Sequence, residues 1–226
     1  RVRAQHLLVA VLDPELTLGL PKDITAATGI DAMVHAIEAY TSINHNNNPI
    51  SKILAIESLK LLGSSIENAV FDGQNVEARS NMLLGSMMAG QAFANSPVSA
   101  VHALAYPIGG IFHISHGLSN SLVLPHVLKF NSNNAKACEQ YAFLAPFIFK
   151  DINLNTNTET ICNDFIEKLE NLSSLLNIPT KLRELDIPKE ACDKMAKESM
   201  KQTRLLVNNP REVTEEDAFN IYSAAW

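Results

Sequence analysis

The chain has 226 residues, 46% of them hydrophobic, and a net charge of −6 with a pI near 5.6. That is enough apolar material for a sizeable core in one large domain or two small ones. The acidic balance, with 18 scattered Lys and Arg, excludes a nucleic-acid or anionic-membrane surface. Cys138, Cys162 and Cys192 lack CxxC spacing, which fits a reducing compartment and points to the cytoplasm. No apolar run reaches the ~20 residues of a membrane span, and the Arg1 start lacks a signal-peptide layout, suggesting a trimmed or fragmented product.

Residues 6–13, HLLVAVLD, form an apolar run closed by Pro14 and are expected to make a short buried strand. Such a strand needs a partner, from a second copy or from a sheet outside this chain. From Thr25 the pattern turns helical. Helices are expected over 24–42, 50–71 and 76–96, the last as a closely packed central helix because MLLGSMMAGQAFA is apolar on most sides. Pro97 is expected to open a short helix through Ala105, ended by Pro107 and Gly109-Gly110. The next runs from His116, capped by Ser115, to about Phe130, with Pro125 as a kink. Further helices are expected at 135–149, 158–176, 188–203 and 214–225, the last opened by Thr214 with Asp217 three residues on. The fold class is therefore all-α, a helical bundle preceded by one short N-terminal β-strand.

Imidazoles concentrate in PVSAVHALAYPIGGIFHISHG at 97–117, which holds His102, His113 and His116. Upstream, Asp31 and His35 stand four apart and so share one helical face. One carboxylate and three imidazoles, Asp31, His35, His102 and His116, are borderline-to-hard ligands suited to Fe(II), Zn, Co, Ni or Mn. Each also has a plainer reading. A single His is usually solvated or hydrogen-bonded, Asp31 could simply favour a helix dipole, and clustered His could share a polar loop. His113 could be substrate-lining or exposed, and His126 is expected to face a structural partner. Glu38 could orient a ligand imidazole, with a helix-surface ion pair as the favoured alternative. Tyr106, four after His102, could donate a proton to substrate. Phe93 and Asn95 are candidates for pocket lining, with simple packing as the alternative.

GIDAMVHAIEAYTS and AVHALAYPIGGIFHISHGLSNSLVLPHVLKFN closely resemble the two signature regions of the iron-containing (group III) alcohol dehydrogenases. DPELTLGLP and NPREVTEEDAFNIYSAAW extend the resemblance over nearly the whole chain. It implies Asp31, His35, His102 and His116 as metal ligands and a dehydroquinate synthase-like helical domain. It further implies that this domain follows a dinucleotide-binding domain, with the active site in the cleft between them. Residues 1–22 then read as a strand and linker from that N-terminal domain and 23–226 as the helical metal-binding domain. The implied activity is NAD- or NADP-dependent interconversion of alcohols and aldehydes or ketones, acting on small substrates, with a homodimer as the expected assembly. Four protein ligands would saturate tetrahedral zinc, so Fe(II) is the expected catalytic metal, although zinc could occupy the site. Many members of the family carry a histidine where this chain has Tyr106, which leaves the proton route open.

Three other readings remain open. A dehydroquinate-synthase-like lyase half should carry phosphate-binding Lys or Arg beside the ligands, and none lies close by in sequence. A non-enzymatic, metal-stabilised interaction domain would gain stability from metal but not from nucleotide. A metal-dependent hydrolase needs a general base beside the ligands, and none is evident.

Overall fold

The computed structural model describes residues 9–226. Ten α-helices run through them: α1 (Lys22–Thr41), α2 (Pro49–Phe71), α3 (Val76–Asn95), α4 (Ala100–Phe112), α5 (His116–Asn131), α6 (Ala135–Ile148), α7 (Thr158–Leu175), α8 (Ala191–Ser199), α9 (Thr203–Leu206) and α10 (Glu215–Ala225). Short 3-10 turns at Pro14–Thr17 and Leu182–Leu185 complete the set. No described helix is long and apolar enough to cross a membrane.

Asparagine opens many of these helices. Asn48, Asn75, Asn134 and Asn157 each accept a hydrogen bond from a backbone N–H of the first turn, satisfying donors that have no intrahelical partner. Thr214 and Asp217 form the expected capping box, the Thr214 side chain taking the Asp217 N–H and the Asp217 carboxylate taking the Thr214 N–H.

Packing sets the order of layers. α1, α2 and α3 stack on one another, with Ser58 of α2 donating to the Gly85 carbonyl of α3 at 2.7 Å. α5 crosses α1 at Gly117, where a Cβ would stand 2.6 Å from the Ala27 carbonyl oxygen, so only glycine permits that approach. α8 and α10 buttress α4 and α5, and the buried Tyr222 hydroxyl donates to the Leu104 carbonyl at 2.6 Å. α1 and α4 are thereby buried along most of their lengths.

Several sequence expectations are corrected. α3 is not the central helix: it buries Ala78, Arg79, Gly85, Ala89 and Ala92 along one stripe and leaves much of its remaining surface partly or fully exposed. The helix expected at 97–105 instead spans Ala100–Phe112 and passes through Pro107. Pro107 removes one backbone donor, but burial of Val101, Leu104, Pro107 and Ile108 holds the helix past it. It ends at His113, left-handed at φ 58°, a conformation that usually selects glycine or asparagine. Ser115 precedes α5 but makes no side-chain cap bond. The helix expected at 188–203 divides into α8 and α9 across a turn at Met200–Gln202. Of the expected strand at 6–13, residues 6–8 lie outside the described residues. Val9–Asp13 carries no regular element, Val9 and Val11 are exposed, and no strand among the described residues is available to pair with it.

His126 on α5 is half-buried. Burial and the nearby Lys181 cation push its pKa down to about 4, against a weaker opposing pull from Glu170. The unfolded chain accepts a proton near 6.5, which the native chain refuses until near 4. The neutral-His contribution is therefore whole above the unfolded value and is lost as pH falls through that window, amounting to up to about 3 kcal/mol. Urea unfolding across the window is expected to show the wild-type chain losing stability more steeply than His126→Gln. Equal slopes would contradict the assignment.

Candidate metal centre

α1 carries Asp31 and His35 one turn apart on the face that looks toward α4 and α5. His102 lies in the first turn of α4, and His116 is the first residue of α5. The tight connection from Phe112 to Ser115, turned by the left-handed His113, brings His116 back beside His102. One ligand-type atom from each of Asp31, His35, His102 and His116 lies within 4.8 Å of all the others. The Nε2 atoms of His102 and His116 each stand 3.8 Å from Asp31 Oδ1. The rings of His35 and His102 stack at 4.6 Å, and those of His102 and His116 meet at 5.2 Å.

The nitrogens are poised differently. His102 is buried, and its Nε2 has no hydrogen-bond partner although it is shut away from water. An orphaned buried acceptor is costly unless something else fills the position, and a cation among one carboxylate and three imidazoles would do so. His35 is pushed down to about 4, chiefly by burial, with Asp31 opposing and His102 adding to the fall, so it is neutral near pH 7 with a ring nitrogen free to donate a lone pair. His116 is the open member, its side chain 46% exposed.

Glu38 departs from expectation. It lies not on the helix surface but at 2% exposure on the inner face of α1, and the imidazole it touches is that of His102 rather than His35. Its Oε2 accepts from His102 Nδ1 at 2.6 Å, and its Oε1 accepts from Ser99 Oγ at 2.8 Å and the Val101 backbone N–H at 2.7 Å. Burial alone would raise the Glu38 carboxyl, but the hydrogen bond from His102, with those from Ser99, outweighs it and holds the pKa below the ordinary glutamate value. Only a faint signal exists in the sequence: Glu38 shares one helical stripe with Val34, Ile37 and Thr41, all buried, where a lone carboxylate needs partners.

Asn120 received no role from the sequence. It sits one turn after His116 on α5, wholly buried, and its Nδ2 donates to Asp31 Oδ1 at 2.6 Å and lies 3.2 Å from His116 Nε2. The four-residue spacing from His116 was its only signal. Tyr106 shares the His102 side of α4 because the helix persists past Pro107. It is 41% exposed, with its ring 5.9 Å from that of His116. Phe93 stacks on His35 at 4.7 Å, whereas Asn95 is exposed at the end of α3 and donates to the Gln91 carbonyl. His113 is exposed.

A sequence profile of the Fe-containing alcohol dehydrogenase family, C-terminal, matches residues 25–226. The chain belongs to the iron-containing alcohol dehydrogenase family. Long-chain-alcohol dehydrogenase 1 of Geobacillus thermodenitrificans (strain NG80-2) is 39% identical over 218 residues, 96% of this chain and 54% of that protein. The crystal structure of a 1,3-propanediol oxidoreductase superimposes with a TM-score of 0.89 at 33% identity, over 95% of this chain and 55% of that one. A sulfoacetaldehyde reductase from Bifidobacterium kashiwanohense, solved in complex with NAD+, aligns at 30% identity with a TM-score of 0.79, over 94% and 53% of the two chains. The chain thus spans about half the length of the relatives it matches. The all-helical bundle is the C-terminal part of the iron-containing alcohol dehydrogenase fold.

Proposed function

We propose that this chain is the metal-binding half of an NAD- or NADP-dependent alcohol dehydrogenase interconverting small alcohols and aldehydes or ketones. The observation that carries the reading is the convergence of Asp31, His35, His102 and His116 around a buried, partnerless imidazole nitrogen. Those four side chains would hold a divalent ion, Fe(II) in preference to Zn because four protein ligands would saturate a tetrahedral site. When bound, the ion supplies Lewis acidity, lowering the pKa of an alcohol hydroxyl and polarising a carbonyl.

The chain's own residues supply position and proton handling. Asp31 contributes the negative charge that offsets the cation. His102 anchors the site from the core, and the half-open His116 marks the side by which substrate arrives. Tyr106, on that same open side, holds a hydroxyl proton for the substrate oxygen. Phe93 backs His35, and Asn95 stands at the rim, where it could meet a nucleotide. The nicotinamide would be presented by a dinucleotide-binding domain joined through residues 1–22, with 23–226 as the metal-binding domain. The greater length of the matched relatives and the NAD+ complex of one of them support that division. The three thiols, all free, support a reducing compartment such as the cytoplasm, and a homodimer belongs to the same proposal.

The test uses the 226-residue chain loaded with Fe(II), a small aldehyde, and NADH or NADPH. Metal binding without nicotinamide oxidation is the expected result. Sustained turnover by this chain alone would overturn the proposed division of labour.

A further inference from the structure

The partners of Glu38 constrain His102 in a way that reaches beyond packing. Glu38 Oε1 takes two donors, Ser99 Oγ and the Val101 N–H, as a carboxylate does, so at the 2.6 Å contact its Oε2 accepts in the same way and His102 carries its proton on Nδ1. Nε2 is then left as a bare lone pair, and it is Nε2 that points toward Asp31. The other oxygen of Glu38 is fixed in turn. Val101 is in the first turn of α4, its N–H has no acceptor within the helix, and Ser99, the residue preceding that helix, donates its hydroxyl to the same oxygen. Glu38 therefore caps α4 from α1 while it sets the proton on His102.

We infer that Glu38 is a positioning residue that locks His102 in the Nδ1–H tautomer, presenting the Nε2 lone pair to the site formed with Asp31, His35 and His116. This deepens the proposed metal-binding function and rests on that reading for its consequence, though not for the tautomer itself. The substitution Glu38→Gln separates the two jobs of the side chain. The Val101 N–H demands an acceptor, so the amide oxygen of glutamine takes the position of Oε1 and its NH2 group must face His102 Nδ1. Nδ1 must then accept, and the proton moves to Nε2, where it blocks the lone pair. The shape of the core is preserved while the ligand is disabled.

The ring 15N resonances of His102, recorded on metal-free chain at mildly alkaline pH, report the tautomer directly. Wild type is expected to be protonated on Nδ1 and Glu38→Gln on Nε2. A Co(II) titration is expected to show affinity falling by about 100-fold in Glu38→Gln, at the upper end of what second-sphere hydrogen-bond partners contribute. Ser99→Ala, which removes one donor to Glu38 but spares the His102 contact, is expected to keep both the wild-type tautomer and the wild-type affinity. A merely structural Glu38 would instead lower the melting temperature of both variants without moving the proton. Protonation of wild-type His102 on Nε2, or Glu38→Gln with wild-type tautomer and affinity, would overturn the inference. Should Glu38→Gln fail to fold, the wild-type spectrum still decides it. Failure of wild type to bind Co(II) would count against the metal reading alone, since the tautomer is read without metal.

Discussion

Purified wild-type chain is expected to bind a divalent metal and chain carrying Asp31→Ala or His102→Ala to retain almost none of it, with affinity reduced by about 100-fold or more. The two differ in what they leave behind. Asp31→Ala removes the only carboxylate of the four and leaves three neutral imidazoles for a dication. His102→Ala removes the buried anchor and strands the Glu38 carboxylate, which sits at 2% exposure with only Ser99 and Val101 to satisfy it. An uncompensated buried charge costs about 3–5 kcal/mol, so His102→Ala should also be markedly less stable than Asp31→Ala. A ligand present at 100 times its dissociation constant stabilises by about 2.7 kcal/mol, or about 5–10 °C for a domain of this size, and that increment should appear in wild type and vanish in both variants. Elemental analysis and thermal melts with and without metal measure the two effects. Undiminished metal content in both variants would remove Asp31 and His102 from the site.

Gly117→Ala is expected to damage fold and site together. A Cβ there would lie 2.6 Å from the Ala27 carbonyl oxygen and 2.8 Å from its carbon, both backbone atoms that no rotamer change can move. α5 must shift away from α1 at an overpacking cost of about 1–3 kcal/mol. Because Gly117 adjoins His116 and Ala27 lies one turn before Asp31, the same shift lengthens the 3.8 Å separation of His116 from Asp31. Urea unfolding and Co(II) titration should therefore both report a loss, and a variant of wild-type stability and wild-type affinity would show that the crossing can relax. A stable variant with weakened binding would locate the relaxation at His116.

The sequence showed the bundle and the four-residue cluster because both are written in local spacing. Asp31 and His35 lie four apart on one helix, and His102 and His116 lie in a single histidine-dense stretch, on opposite sides of the short break at residues 113–115. What remained hidden depends on distant parts of the chain. Pro107 reads as a helix stop by its missing N–H, yet the burial of α4 against α5 and α8 carries the helix through it. Glu38 reads as a surface carboxylate until Ser99, Val101 and His102, more than sixty residues on, are folded against it. Asn120 reads as one more polar residue in an Asn-rich chain, and only the crossing of α1 and α5 brings its amide to Asp31, 89 residues away in sequence. The reading of α3 as central failed for a related reason. Gly and Ala permit close packing, but they do not say on how many sides it occurs.

The four side chains are not equally hidden, and that asymmetry gives the cluster a direction. His102 is 3% exposed, Asp31 15% and His116 46%. An ion seated among them would be most open to solvent on the side of His116, which begins α5 just after the short turn from α4. Release to a chelator would then follow the opening of that turn, a local fluctuation far cheaper than global unfolding. Metal exchange and unfolding would run on separate clocks.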